Sequence, residues 1–146
     1  TATNDIDCID QIKKLMSYVP QNCEEETPRI SYSNGNEERP ALNTILPSNS
    51  NQPYDMRTII DEIADSDSFY EVNKDYAENI VVGFIRVAGR SIGVVGNNPM
   101  VLAGCLNVDC SRKGARFVRF CDSFNIPLLV LVDVPGFELY TENIEI

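Results

Sequence analysis

The sequence predicts an α/β fold, present here as part of a sheet rather than a closed one. Apolar residues recur at three- and four-residue spacings in Asp5–Val19 and again from Asp55 to about Ala64, then from Phe69 alternate or run unbroken, which is the change from helix to strand. The second half then reads strand, strand, helix, strand, an order that repeats too little to close a sheet. A composition of 43% hydrophobic and 23% charged residues over 146 positions is that of one ordinary folded domain. It excludes collagen, low complexity and wholesale disorder.

Each element has its own signal. From Asp5 to Val19, Ile6, Ile9, Ile12, Leu15, Met16 and Val19 fall on one helical stripe, with Thr3 or Asn4 as cap and Pro20 as stop. Residues 1–20 are therefore read as a helical segment. Residues 21–53 carry Pro28, Pro40, Pro47 and Pro53, the run Glu24-Glu25-Glu26 and the turn former Asn34-Gly35, and are read as a Pro-rich acidic linker whose Ile30, Leu42, Ile45 and Leu46 could dock on a neighbour. Residues 54–137 open a domain. Asp55 caps a second helix with Ile59, Ile60 and Ile63 inward, ending near Ala64. Phe69–Val72 is a short strand, and Ile80–Ala88 with Ser91–Gly96 form a hairpin about a Gly89-Arg90 turn. Ser111–Phe124 is a helix started by Asp109 or Ser111, with Phe117, Val118, Cys121 and Phe124 inward. The aliphatic run Leu128–Val132 predicts a strand covered on both faces.

Charge narrows the function. The 22 acidic and 12 basic side chains give a net charge of -10, which offers no global support for coating a nucleic acid. The excess acid lies in residues 1–78, with 16 acids against 6 bases, whereas residues 79–137 carry 3 acids against 6 bases. There is no histidine, which removes Ser-His-Asp and Cys-His nucleophiles and H-E-x-x-H zinc sites. Five unpaired cysteines without a C-x-x-C spacing read as reduced, buried thiols of a cytoplasmic compartment. No apolar run approaches the ~20 residues needed to span a bilayer. A start without Met, inside a helix, suggests a piece of a longer protein.

Three places could carry chemistry. Asp133-Val134-Pro135-Gly136-Phe137 follows the most apolar strand, where open α/β sheets collect ligands, although a plain Pro-Gly turn explains it too. Gly96-Asn97-Asn98-Pro99 ends a hairpin strand and reads equally well as a turn. Arg112, Lys113, Arg116 and Arg119 crowd one helix, either as an anion site or as a solvated face. Gly89, Gly93 and Gly96 fit neither G-x-G-x-x-G nor the Walker spacing. Asp61, Glu62 and Asp65 read as solvent-facing.

In order along the chain stand Pro53-Tyr54-Asp55-Met56-Arg57, Asn79–Phe84, Gly89–Pro99, Ala115–Asp122 and Asn125-Ile126-Pro127 through Asp133–Phe137. With these motifs the chain resembles the carboxyltransferase (beta) subunit of biotin-dependent acyl-CoA carboxylases, of the propionyl-CoA carboxylase type, over about residues 5–137. The resemblance implies a ClpP/crotonase-like fold. Residues 1–20 would be an interdomain helix, 54–137 the first half of the second carboxyltransferase domain, and 138–146 a tail that departs from the family pattern. It further implies transfer of carboxyl from carboxybiotin to a short acyl-CoA such as propionyl-CoA, with enolate oxygens held by backbone N–H groups rather than a titrating side chain. No catalytic side chain and no metal site follow. Biotin contacts are expected from Val134, Pro135, Gly136 and Phe137, the Phe137 carbonyl accepting a ureido N–H, with Asn97 and Pro99 as further contacts. Biotin would arrive on a biotin carboxyl carrier protein or biotin carboxylase subunit. The other implied partners are acyl-CoA and further copies in a hexamer, with no nucleic acid or membrane. Two other readings stay open, a biotin-dependent decarboxylase or transcarboxylase subunit and a non-catalytic assembly module. The piece alone is expected to be inactive.

Overall fold

The computed structural model describes residues 2–32, 38–49 and 52–138. Asn34-Gly35 and most of the tail after residue 137 lie outside them. The elements are α1 (Asp5–Met16), α2 (Met56–Ile63), β1 (Tyr70–Glu71), β2 (Ile80–Val87), β3 (Arg90–Asn97), α3 (Val108–Ser123) and β4 (Leu128–Leu131), with a 3-10 turn at Pro40–Asn43 and another at Leu102–Gly104. One mixed sheet runs β1-β2-β3-β4. Its first two pairings are antiparallel, and β3 pairs with β4 in parallel through the α3 crossover.

Alternation along β2 divides the core. Ile80, Val82 and Phe84 point to one face, where Cys110, Phe117 and Cys121 of α3 meet Tyr18 and Val19. Val81 and Ile85 point to the other, against Met56, Ile60 and Ala64 of α2 and its end. Every β2 side chain but Val87 is buried, as a central strand packed on both sides requires. A Cβ on Gly93 would stand 2.8 Å from the Cys121 Sγ, so the bare backbone there is what lets α3 sit close.

The ends of the elements differ from the pattern in instructive ways. The hairpin turns at Ala88-Gly89, both with positive φ, and Arg90 already pairs with Val87. A two-residue turn of that hand matches strand twist, which moves the turn one residue earlier than expected. Asp65, expected in solvent, is buried and fixes this turn: its carboxylate accepts from the N–H groups of Ala88 at 3.0 Å and Gly89 at 2.7 Å. Helix α3 starts at Val108 with Asn107 as cap, because the Asn107 side chain accepts from the Cys110 N–H. Val118, expected inward, is exposed.

Strand β4 is an edge strand rather than one covered on both faces. It pairs with β3 alone among the described residues, leaving Val130 and Val132 in solvent while Leu129 and Leu131 pack beside α2. Helix α1 is capped by Asn4, as expected, yet its Ile6, Ile9, Ile12 and Met16 are exposed. Only Leu15 and the residues just past its end, Tyr18 and Val19, join the core. Cys8 and Cys23 are exposed and Cys105 half-buried, so the expectation of buried thiols holds for Cys110 and Cys121 alone. Within 21–53, Thr27 is buried and the segment lies along the hairpin turn: Ser91 N–H donates to the Pro28 carbonyl and Ile30 N–H to that of Gly89. Ile30 and Leu46 remain exposed.

Candidate functional site

Chemistry that uses main-chain groups needs backbone that is exposed yet held still. The stretch after β4 meets both conditions. Val132 and Phe137 are 72% and 71% exposed, and the segment is pinned at both ends. At its start, the Tyr54 hydroxyl donates to the Asp133 Oδ2 at 2.6 Å. At its end, Leu106 N–H donates to the Gly136 carbonyl at 3.0 Å and Glu138 N–H to the Leu106 carbonyl at 2.8 Å. That parallel bridge uses the carbonyl before Phe137 and the amide after it. The N–H and C=O of Phe137 itself therefore face away from Leu106 and have no partner among the described residues. Together they offer one donor and one acceptor, the complement of a cyclic urea or amide edge.

Burial and the neighbouring carboxylate push the Tyr54 phenol up to about 12, so it stays a donor through the neutral range. Helix α2 starts one residue after the tyrosine's neighbour Asp55, whose carboxylate accepts from the Arg57 N–H. Arg57 in turn grips Glu71 of β1 through two nitrogens, at 2.7 and 2.8 Å, which raises its own pKa further. Tyr54 is thus held by a helix start that is itself fixed to the sheet.

The Gly96–Pro99 stretch stands behind this segment. Asn97 is buried and its amide donates to the Gly104 carbonyl at 3.3 Å; Asn98 is buried and reaches the Glu78 carbonyl and the Met56 N–H, both at 3.4 Å. Leu102, Ala103 and Gly104 all have positive φ. A Cβ on Gly104 would lie 2.8 Å from the Asp133 carbonyl and within 3.7 Å of both Asn97 and Pro99. The fold therefore brings Asn97 and Pro99 to the start of the Asp133–Phe137 segment through one glycine. The amides of Asn97 and Asn98 are directed at main chain.

Beside Phe137 opens a groove of about 750 Å³ between α3 and residues 73–76, with Leu106, Phe137 and Glu138 as its other wall. Arg112, Arg116 and Arg119 line it. Lys113, expected on the same solvated face, is instead 2% exposed. Its Nζ donates to the carbonyls of Tyr76 at 2.7 Å, Ile80 at 2.8 Å and Ala77 at 3.3 Å, and burial pulls its ammonium below the usual lysine range. A helix position that looked polar thus meets three main-chain carbonyls at the entry to β2. Among the described residues no group of three or more His, Cys, Asp or Glu could hold a metal ion.

Sequence reading singled out the Asp133–Phe137 segment and the basic helix as candidates, but not Tyr54, Leu106 or the Leu102–Gly104 turn that the structure sets beside them. Tyr54 lies 79 residues from its partner, and nothing local announces such a pair. Gly104 was readable, as a lone glycine between apolar residues and a helix cap.

Comparison with known proteins places these features in a family. The carboxyl transferase domain family matches residues 1–144. The propionyl-CoA carboxylase beta chain of Roseobacter denitrificans is 50% identical over 135 residues, covering 92% of this chain and 26% of that relative. The methylmalonyl-CoA decarboxylase subunit alpha of Veillonella parvula is 46% identical over 137 residues, covering 93% and 27%. Among solved structures, the transcarboxylase 12S hexamer with hydrolysed methylmalonyl-coenzyme A bound superposes with a TM-score of 0.89 at 44% identity, over 96% of this chain and 28% of that one. The chain spans about a quarter of the length of these relatives.

Proposed function

Because the chain belongs to the carboxyl transferase domain family, we propose that it forms the biotin-side part of an active site that moves carboxyl from carboxybiotin to a short acyl-CoA such as propionyl-CoA. The observation that carries this reading is the donor and acceptor of Phe137, without a partner among the described residues, at the end of a tethered segment beside a groove. Bound biotin would supply the ureido nitrogen that carries the carboxyl group. The Phe137 carbonyl accepts the ureido N–H, and Val134, Pro135 and Gly136 shape the approach. Asn97 and Pro99 support the segment from behind.

In this reading the chain is the first half of a second, crotonase-like domain, preceded by an interdomain helix and an acidic linker. Fixed main-chain dipoles need no reorganisation as charge develops, which suits a protein without histidine. A biotin carrier or biotin carboxylase subunit, acyl-CoA and sister copies in a hexamer are the partners. A reducing, cytoplasm-like compartment suits five free cysteines.

The test is carboxyl transfer by the complete polypeptide that carries this chain, given carboxybiotin and a series of thioesters. Saturable transfer to propionyl-CoA or acetyl-CoA supports the proposal. No transfer with propionyl, acetyl or methylmalonyl thioesters overturns it. The likeness to the Veillonella parvula decarboxylase subunit favours a second reading, in which the same site removes carboxyl from a malonyl-type thioester. Transfer of carboxyl from methylmalonyl-CoA to free biotin that outpaces carboxylation of propionyl-CoA by carboxybiotin selects it.

A further inference from the structure

Arg112, Arg116 and Arg119 stand at intervals of four and three on α3, one stripe about 10 Å long at the helical rise of ~1.5 Å per residue. All three are exposed and line the groove whose other wall is Phe137. Arg112 has a carboxylate, Asp109, at 3.8 Å. None of the ion pairs among the described residues involves Arg116 or Arg119. Among the described residues, two arginines side by side thus have no carboxylate partner and present their charge to the groove.

What surrounds them favours a protein. Val108, Phe120 and Phe137 are exposed next to the stripe, and a mixture of arginine with aromatic and aliphatic surface is the composition of protein interfaces. The excess acid of residues 1–78 disfavours an acidic partner there, and the basic groove on α3 favours one here. A biotin tethered to its carrier and reaching Phe137 brings that carrier onto this groove. We propose that Arg116 and Arg119, with Arg112 beside them, dock an acidic face of the biotin carrier protein. The proposal rests on reading Phe137 as the biotin contact.

The test uses the complete polypeptide and a fluorescent carrier domain that lacks its biotin, followed by anisotropy. Arg116→Glu with Arg119→Glu is expected to weaken carrier binding about tenfold and to flatten its salt dependence, as reversal of rim charges does. Lys13→Glu on α1, which changes net charge in the same sense, is expected to leave binding as it was. Unchanged affinity in the double variant overturns the proposal. So does a wild-type protein that does not bind the carrier, or a double variant that loses acyl-CoA affinity and keeps the carrier. Arg116→Gln with Arg119→Gln, at a smaller loss of about threefold, carries the same comparison should charge reversal unfold α3. Since the probe holds no biotin, a wrong biotin reading shows itself separately, as intact carrier binding with no carboxyl transfer.

Discussion

Tyr54 and Asp133 lie 79 residues apart in the chain and meet at 2.6 Å. The bond fixes the first residue of a segment whose useful groups are main-chain ones. Removing the hydroxyl by Tyr54→Phe is expected to lower stability by about 1 kcal/mol or less, since Tyr54 is half-buried and its partner Asp133 is exposed. Amide exchange at residues 134–137 should quicken by more than that small loss implies, because the release is local. Hydrogen-exchange mass spectrometry reads both the site and the size of the effect. The phenol's folded-state value of about 12 stands above its ordinary 10, so the bond contributes fully below about pH 10 and is lost as pH rises toward 12. Wild type and variant should converge there. Neither this pair nor the burial of Lys113 was legible beforehand. Both depend on which distant main chain or carboxylate a side chain meets, and only the assembled sheet decides that.

Among the elements, the β2–β3 hairpin organises the rest. Its turn needs positive φ at Ala88 and Gly89, and only Gly89 adopts that freely. Asp65 holds the strained geometry by accepting both turn amides. Asp65→Ala strands two N–H groups and is expected to cost about 2 kcal/mol, measured as a lower urea midpoint. Asp65→Asn, which keeps one good acceptor, should lose less. Elements were the most legible level of this sequence. Helix and strand types were readable from periodicity; Asp55 caps α2 as expected, Asn4 is one of the two caps offered for α1, and the cap of α3 is Asn107 rather than Asp109 or Ser111. Burial was read less well. The apolar stripe of α1 and the aliphatic run of β4 state that a face wants cover, and both are exposed among the described residues. A pattern records the need for a partner and not where the partner is.

For the molecule as a whole, thiol reactivity gives a map of what is closed. Cys110 and Cys121 are fully buried, and burial pushes the Cys121 thiol up to about 12, whereas Cys8 and Cys23 are exposed. In native protein at mildly alkaline pH, iodoacetamide is expected to label Cys8 and Cys23 within minutes and to spare Cys110 and Cys121 until denaturant is added; peptide mass spectrometry assigns the sites. Labelling of Cys121 under native conditions would mean that α3 does not rest on the sheet as described. Spatial neighbours in the sheet are also successive along the chain. Assembly can zip outward from a two-residue turn without threading a segment between two already joined. Such topology shortens the conformational search, so this stretch can acquire its shape early, while a ribosome is still extending the polypeptide.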